Sequence, residues 1–126
     1  MRSVLVDTSV WVDHFRRTNQ SLVMLMASDL VMTHPLIVGE LACGTPPDRV
    51  RTLADLDSLL HVRQASIHEV MEFIERERLY GLGCGLVDLL LLTSTMLTSE
   101  ASLWTMDKRL GDLARRFNIF YRPVAH

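Results

Sequence analysis

Apolar residues along the chain gather into short runs between polar breaks, and the runs follow two different periods. Ser3–Val6, Asp29–Met32, His61–Arg63, Ser102–Thr105 and Ile119–Tyr121 are short apolar or β-branched stretches that predict strands, the first of them without polar alternation. Between them the apolar positions recur at helical spacing. Val10, Trp11 and Phe15 predict a helix ending at Arg16-Arg17, and Thr18–Ser21 caps another through Leu22 to Ala27. Further helices are predicted over His34–Cys43, Arg49–Leu60, Ile67–Leu79, Leu89–Leu97 and Asp107–Phe117. Gly44 and the Pro46-Pro47 pair stop the third of these, and a loop with Gly81, Gly83 and Gly85 precedes Val87-Asp88. Strands alternating with helices predict an α/β fold around a mostly parallel sheet. Without an internal repeat, linker or low-complexity tract, residues 1–126 read as one domain.

Composition narrows the setting. The chain has 126 residues, 48% hydrophobic and 22% charged, enough for a sizeable core. No apolar run approaches the ~18 residues that span a bilayer, and the first residues are strand-like rather than a signal peptide. Cys43 and Cys84 lie far apart in no metal-type spacing, which suits reduced thiols in a cytoplasm. The five histidines lack a zinc-helix register. A formal charge of −2 argues against a general nucleic-acid binder. That average shifts if four of the 15 acids are set aside around cations, because the 13 basic side chains then outnumber the rest.

Two stretches raise that possibility. In SVLVDTSVW an apolar strand runs out on Asp7, followed by Thr8 and Ser9; in SLWTMDKRL another runs out on Thr105 and Asp107. Carboxyl ends of parallel strands share one edge of a sheet, so Asp7 and Asp107 are expected to be neighbours. Glu40 in HPLIVGELACG and Asp88 ahead of LLLLTSTM lie in apolar helices without a lysine or arginine at i±3 or i±4. A buried carboxylate needs a partner or a cation, so a carboxylate cluster balanced by Mg²⁺ or Mn²⁺ is the economical reading. Such an ion activates water for in-line attack on a phosphodiester, leaving a 5′-phosphate and a 3′-hydroxyl. Simpler roles stay open: Asp7, Asp107 and Asp88 as helix caps, and Glu40 as the partner of a distant arginine.

DTSVW, IVGELACG, GLGCGLVDLLLL and LWTMDKRL, in that order, resemble a PIN domain, and more closely the VapC group of ribonuclease toxins from type II toxin–antitoxin systems. The resemblance runs from Ser3 to about Tyr121. It implies a three-layer α/β/α sandwich and a Mg²⁺- or Mn²⁺-dependent endoribonuclease acting on structured RNA, such as tRNA or rRNA, to inhibit translation. It also implies acids matching Asp7, Glu40, Asp88 and Asp107, hydroxyls at Thr8 or Ser9 and at Thr105, a VapB-type antitoxin and a homodimer. One departure stands out: Cys43 follows Leu41-Ala42 where arginine is often found.

Lys108, Arg109, Arg16 and Arg17 are the weaker candidates for RNA phosphates, since their helices begin at the expected site edge. Asp112, one turn past Lys108, otherwise reads as a cap or solvated group. Trp11 and Trp104 read as core. Three rivals remain. A receiver-type signalling domain normally has adjacent acids after its first strand, whereas Asp7 precedes Thr8. A non-catalytic PIN-like module is expected to have lost site acids, and a nuclease acting on DNA differs only in substrate.

Overall fold

Ser3–Val6 forms β1, whose three apolar residues are all buried, as expected for a strand covered on both faces. A computed structural model describes residues 2–124; the ends of the expected domain, Met1 and Ala125-His126, lie outside the described residues. After β1 come α1 (Thr8–Arg16), α2 (Gln20–Ala27), β2 (Val31–Thr33), α3 (Pro35–Ala42), α4 (Arg49–Asp57) and β3 (Leu60–His61). The chain continues through α5 (Ile67–Glu77), α6 (Leu86–Leu97), β4 (Ala101–Trp104) and α7 (Lys108–Arg116).

The sheet has the order β3-β2-β1-β4, and every pairing is parallel. Crossovers from β1 to β2 and from β2 to β3 advance in one direction, while the connection from β3 to β4 returns past them. Because parallel crossovers are right-handed, that reversal sends α5 and α6 to the face opposite α1–α4. The result is an α/β/α sandwich, in which α3 packs on α1 and α4, and α6 packs on α5 and α7. β1 and β4 lie side by side at the reversal, where ligand sites form in such sheets.

Several boundaries differ from the sequence reading. Asp29 turns with a φ of 55°, so β2 starts two residues later than expected. α4 ends at Asp57, and the third strand lies at Leu60-His61 instead of His61–Arg63. The expected last strand is a single parallel bridge, Leu103 to Phe120, held by Leu103 N–H to Ile119 O (2.7 Å) and Tyr121 N–H to Leu103 O (2.9 Å). Asn118, at φ 59°, turns the chain onto β4, and Pro123 has no N–H with which to extend the ladder.

α6 carries one site candidate and is the most buried helix, with Leu89 through Thr95 all inside. Its buried hydroxyls find partners: Thr93 Oγ1 donates to Leu89 O, Thr95 Oγ1 to Leu91 O, and Ser94 Oγ accepts from Ala65 N–H. Leu91 is fully buried, one turn beyond Asp88. Leu91→Ala is therefore expected to lower stability by about 3 kcal/mol in urea melts, whereas Val50→Ala, at an 82% exposed position, should change it by less than about 0.5 kcal/mol.

Candidate active site

Asp7 stands where β1 ends, at the N-cap position of α1, but its side chain makes no cap hydrogen bond. Its Oδ2 instead accepts two hydroxyl protons, from Ser9 Oγ at 2.8 Å and Thr105 Oγ1 at 2.8 Å. The same hydroxyls tie down the far loop, with Ser9 Oγ accepting from Met106 N–H and Thr105 Oγ1 from Asp107 N–H, each at 3.0 Å. Asp7 N–H bonds to Trp104 O at 2.9 Å. Buried at 6% exposure, Asp7 is thus held in one orientation across the β1–β4 junction, and among the described residues no side chain or backbone group donates to its Oδ1.

Asp107 is the N-cap of α7, its Oδ1 accepting from Leu110 N–H at 2.9 Å. A cap bond leaves its other oxygen available, so capping and a site role coexist. Asp88 occupies the third position of α6, because the helix starts at Leu86 with Gly85 as N-cap; it is not itself the N-cap residue, but its carboxylate accepts from the Gly85 backbone, so capping and a site role can coexist here too. Glu40 departs from the sequence reading. It is exposed rather than buried among the apolar residues of α3, and Thr8 Oγ1 rather than an arginine donates to its Oε1, at 2.8 Å.

The acids feel one another. Burial raises the Asp88 pKa first, and the charges of Asp7, Asp107 and Glu40 add to it, against a smaller lowering by the Gly85 backbone. Cys84, a residue that sequence reasoning did not single out, has its thiol pKa raised by burial and then by Asp88 and Asp107, with Arg109 opposing. Among the described residues none of the four acids is salt-bridged to a lysine, arginine or histidine.

The basic candidates separate. Arg16 lines a cleft with Thr8 and Glu40, while Arg17 lines a different hollow with Asp13 and Asn19. Lys108 pairs with Asp112 at 3.1 Å on an exposed turn, a contact of little energetic weight. Arg109 lies across Gly83, where a Cβ would come within 2.7 Å of its guanidinium. With φ of 71° and 85° at Gly81 and Gly83, the glycine loop leaves room for that side chain ahead of α6. Trp11 and Trp104 are core residues, 3% and 2% exposed.

The PIN domain family matches residues 4–116, from β1 to the end of α7. The chain belongs to the PIN domain family. Within it the chain is of the VapC group: it is 43% identical over 107 residues to "Ribonuclease VapC32" of Mycobacterium tuberculosis, in strains CDC 1551 / Oshkosh and ATCC 25618 / H37Rv. That alignment covers 85% of this chain and 86% of the relative.

Could this PIN domain hold a cation? Among the described residues no three carboxylate, imidazole or thiol groups lie close enough together to hold a metal ion between them. Ions of the Mg²⁺ class, however, keep several waters and take one or two carboxylates plus substrate phosphate, so an open arrangement suffices. The acids offer hard oxygen donors, no cationic side chain among the described residues is ion-paired with them, and the repulsion at Asp88 is of the kind a cation relieves. The residues fit the group.

A carboxyl whose folded-state pKa is raised is neutral-friendly in the fold. Its ionisation opposes folding once pH rises above the ordinary value of 3.8, and the effect disappears below it. Asp88→Asn should therefore be more stable than wild type at neutral pH in chelator, and the gain should vanish as acid protonates Asp88 in both states. Thermal melts across pH check this, and saturating Mn²⁺ should shrink the difference by stabilising wild type.

Proposed function

We propose that this protein is a metal-dependent endoribonuclease toxin of a type II toxin–antitoxin pair, cutting structured RNA such as tRNA or rRNA in the cytoplasm and so inhibiting translation. The observation that carries the reading is the gripped Asp7 carboxylate at the β1–β4 junction, with Asp88 close enough to register Asp7, Asp107 and Glu40. The relative named a ribonuclease supports the reaction class.

In this reading Asp7, Glu40, Asp88 and Asp107 hold Mg²⁺ or Mn²⁺. The ion supplies water activation and charge neutralisation at the phosphodiester. Ser9 and Thr105 keep Asp7 aimed, each donating a hydroxyl proton to its Oδ2. Thr8 steadies Glu40. Arg109, laid over the glycine loop beside Cys84, and Lys108 at the start of α7 are placed to meet phosphates flanking the cut. A VapB-type antitoxin is the cognate partner, and two copies of the chain form the working unit. Among the described residues no helix is long and apolar enough to cross a membrane, and both cysteines are free thiols.

The test is cleavage of a labelled structured RNA in Mn²⁺. Asp7→Asn should reduce cutting to background with the fold retained. Thr105→Val, which removes one donor to Asp7, should lower activity or metal affinity by about 10- to 100-fold. Products should carry 5′-phosphates. Native-rate cleavage by Asp7→Asn would refute the assignment.

An acidic site also suits a cationic inhibitor. An arginine of the antitoxin, whose planar fork matches carboxylates, is expected to occupy it. Calorimetry should then show Mn²⁺ binding the toxin–antitoxin complex much more weakly than free toxin; equal affinities would exclude this mode of inhibition.

A further inference from the structure

Beside Glu40 opens a cleft of about 390 Å³ between α1, α3 and the loop that follows α3. Thr8 and Glu40 form its polar end, Val12, Phe15 and Leu41 line it with apolar surface, Arg16 adds a guanidinium, and Gly44–Pro47 supply the remaining wall. The loop is braced: Arg49 donates to Gly44 O and Ala42 O, and Thr52 Oγ1 donates to Pro47 O. Phe15 is likewise positioned, stacked on Trp11 with ring centroids 6.1 Å apart and an interplanar angle of 30°.

We propose that this cleft receives one nucleobase of the RNA substrate, next to the phosphodiester that is cut, and so gives the enzyme its base preference. The inference rests on the ribonuclease reading of the neighbouring acids. Three observations favour a base over another occupant. The cleft is continuous with the candidate catalytic group, because Thr8 and Glu40 belong to both. It combines an aromatic ring with hydrogen-bonding groups, the pairing by which unstacked bases are bound through face and edge. Arg16 supplies the charge that a flanking phosphate requires, and among the described residues it forms no salt bridge. RNA bound at the acids would pass this opening, whereas Arg17, just past the end of α1, lines a separate hollow.

AMP, GMP, CMP and UMP, titrated into the full chain and followed by backbone amide NMR, test the site, with ribose 5-phosphate as the base-free control. The amides of Phe15, Gly44 and Thr45 should shift with at least one nucleotide and stay still with ribose 5-phosphate. Phe15→Leu, which keeps apolar bulk but removes the ring, should weaken that nucleotide about tenfold. Arg16→Gln, at an exposed position, should weaken nucleotide binding without moving the melting temperature. Sequencing of products from a randomised RNA should show a base preference beside the cut that Phe15→Leu relaxes, through KM more than kcat. Amides that ignore all four nucleotides, respond equally to ribose 5-phosphate, or respond only to an amphipathic helical peptide would overturn the proposal. If RNA is cut with a preference that Phe15→Leu leaves unchanged, the base site falls and the ribonuclease reading stands. If Asp7→Asn cuts normally, the catalytic reading falls and the nucleotide titration still decides the cleft.

Discussion

Two hydroxyl protons on one carboxylate oxygen hold this site together. Ser9 lies two residues beyond Asp7 and Thr105 lies 98 residues beyond it, yet both donate to Oδ2. The first bond fixes the start of α1 against the strand that feeds it, and the second joins the ends of β1 and β4. Since the acceptors of Met106 and Asp107 N–H are these same hydroxyls, the loop that delivers Asp107 is set by the group it approaches. A buried polar network of this kind is stable when its members are satisfied, and removal of any donor leaves a buried carboxylate under-bonded.

Around that fixed point the other acids are held with graded freedom. Asp88 is half-buried in the first turn of the most buried helix, so its charge is opposed both by lost solvation and by its neighbours. Asp107 gives Oδ1 to the cap of α7 and keeps its other oxygen available. Glu40 is exposed and accepts from Thr8 Oγ1. The fold contributes the placement, and the strain at Asp88 is a local loss of stability of the sort functional sites retain.

The cleft beside Glu40 extends the same logic to the substrate. Its polar end is the Thr8–Glu40 pair, so a group seated there lies against Glu40. Proline-rich chain and arginine-braced carbonyls make its outer wall, which limits the ordering a ligand must impose.

By itself the sequence determined the alternation of strands and helices and the α/β class, and it put Asp7 and Asp107 just past strand ends. These follow from local rules: the period of apolar residues, the stopping power of Gly and Pro, and the common edge of parallel strand ends. Tertiary structure decided what those rules cannot reach. Glu40 sits among apolar neighbours in the sequence, yet the face of α3 that carries it is open, whereas Asp7 is the acid that is buried. Which hydroxyl grips which oxygen, that Arg16 shares a cleft with Glu40 while Arg17 does not, and that Cys84 lies beside Asp88 and Asp107 depend on segments distant in the chain. The predicted last strand shrank to one bridge for a related reason: its residues suit a strand, but only one pair of backbone hydrogen bonds is within reach of β4. Local pattern selects an element's type; burial, charge environment and partner are properties of the packed whole.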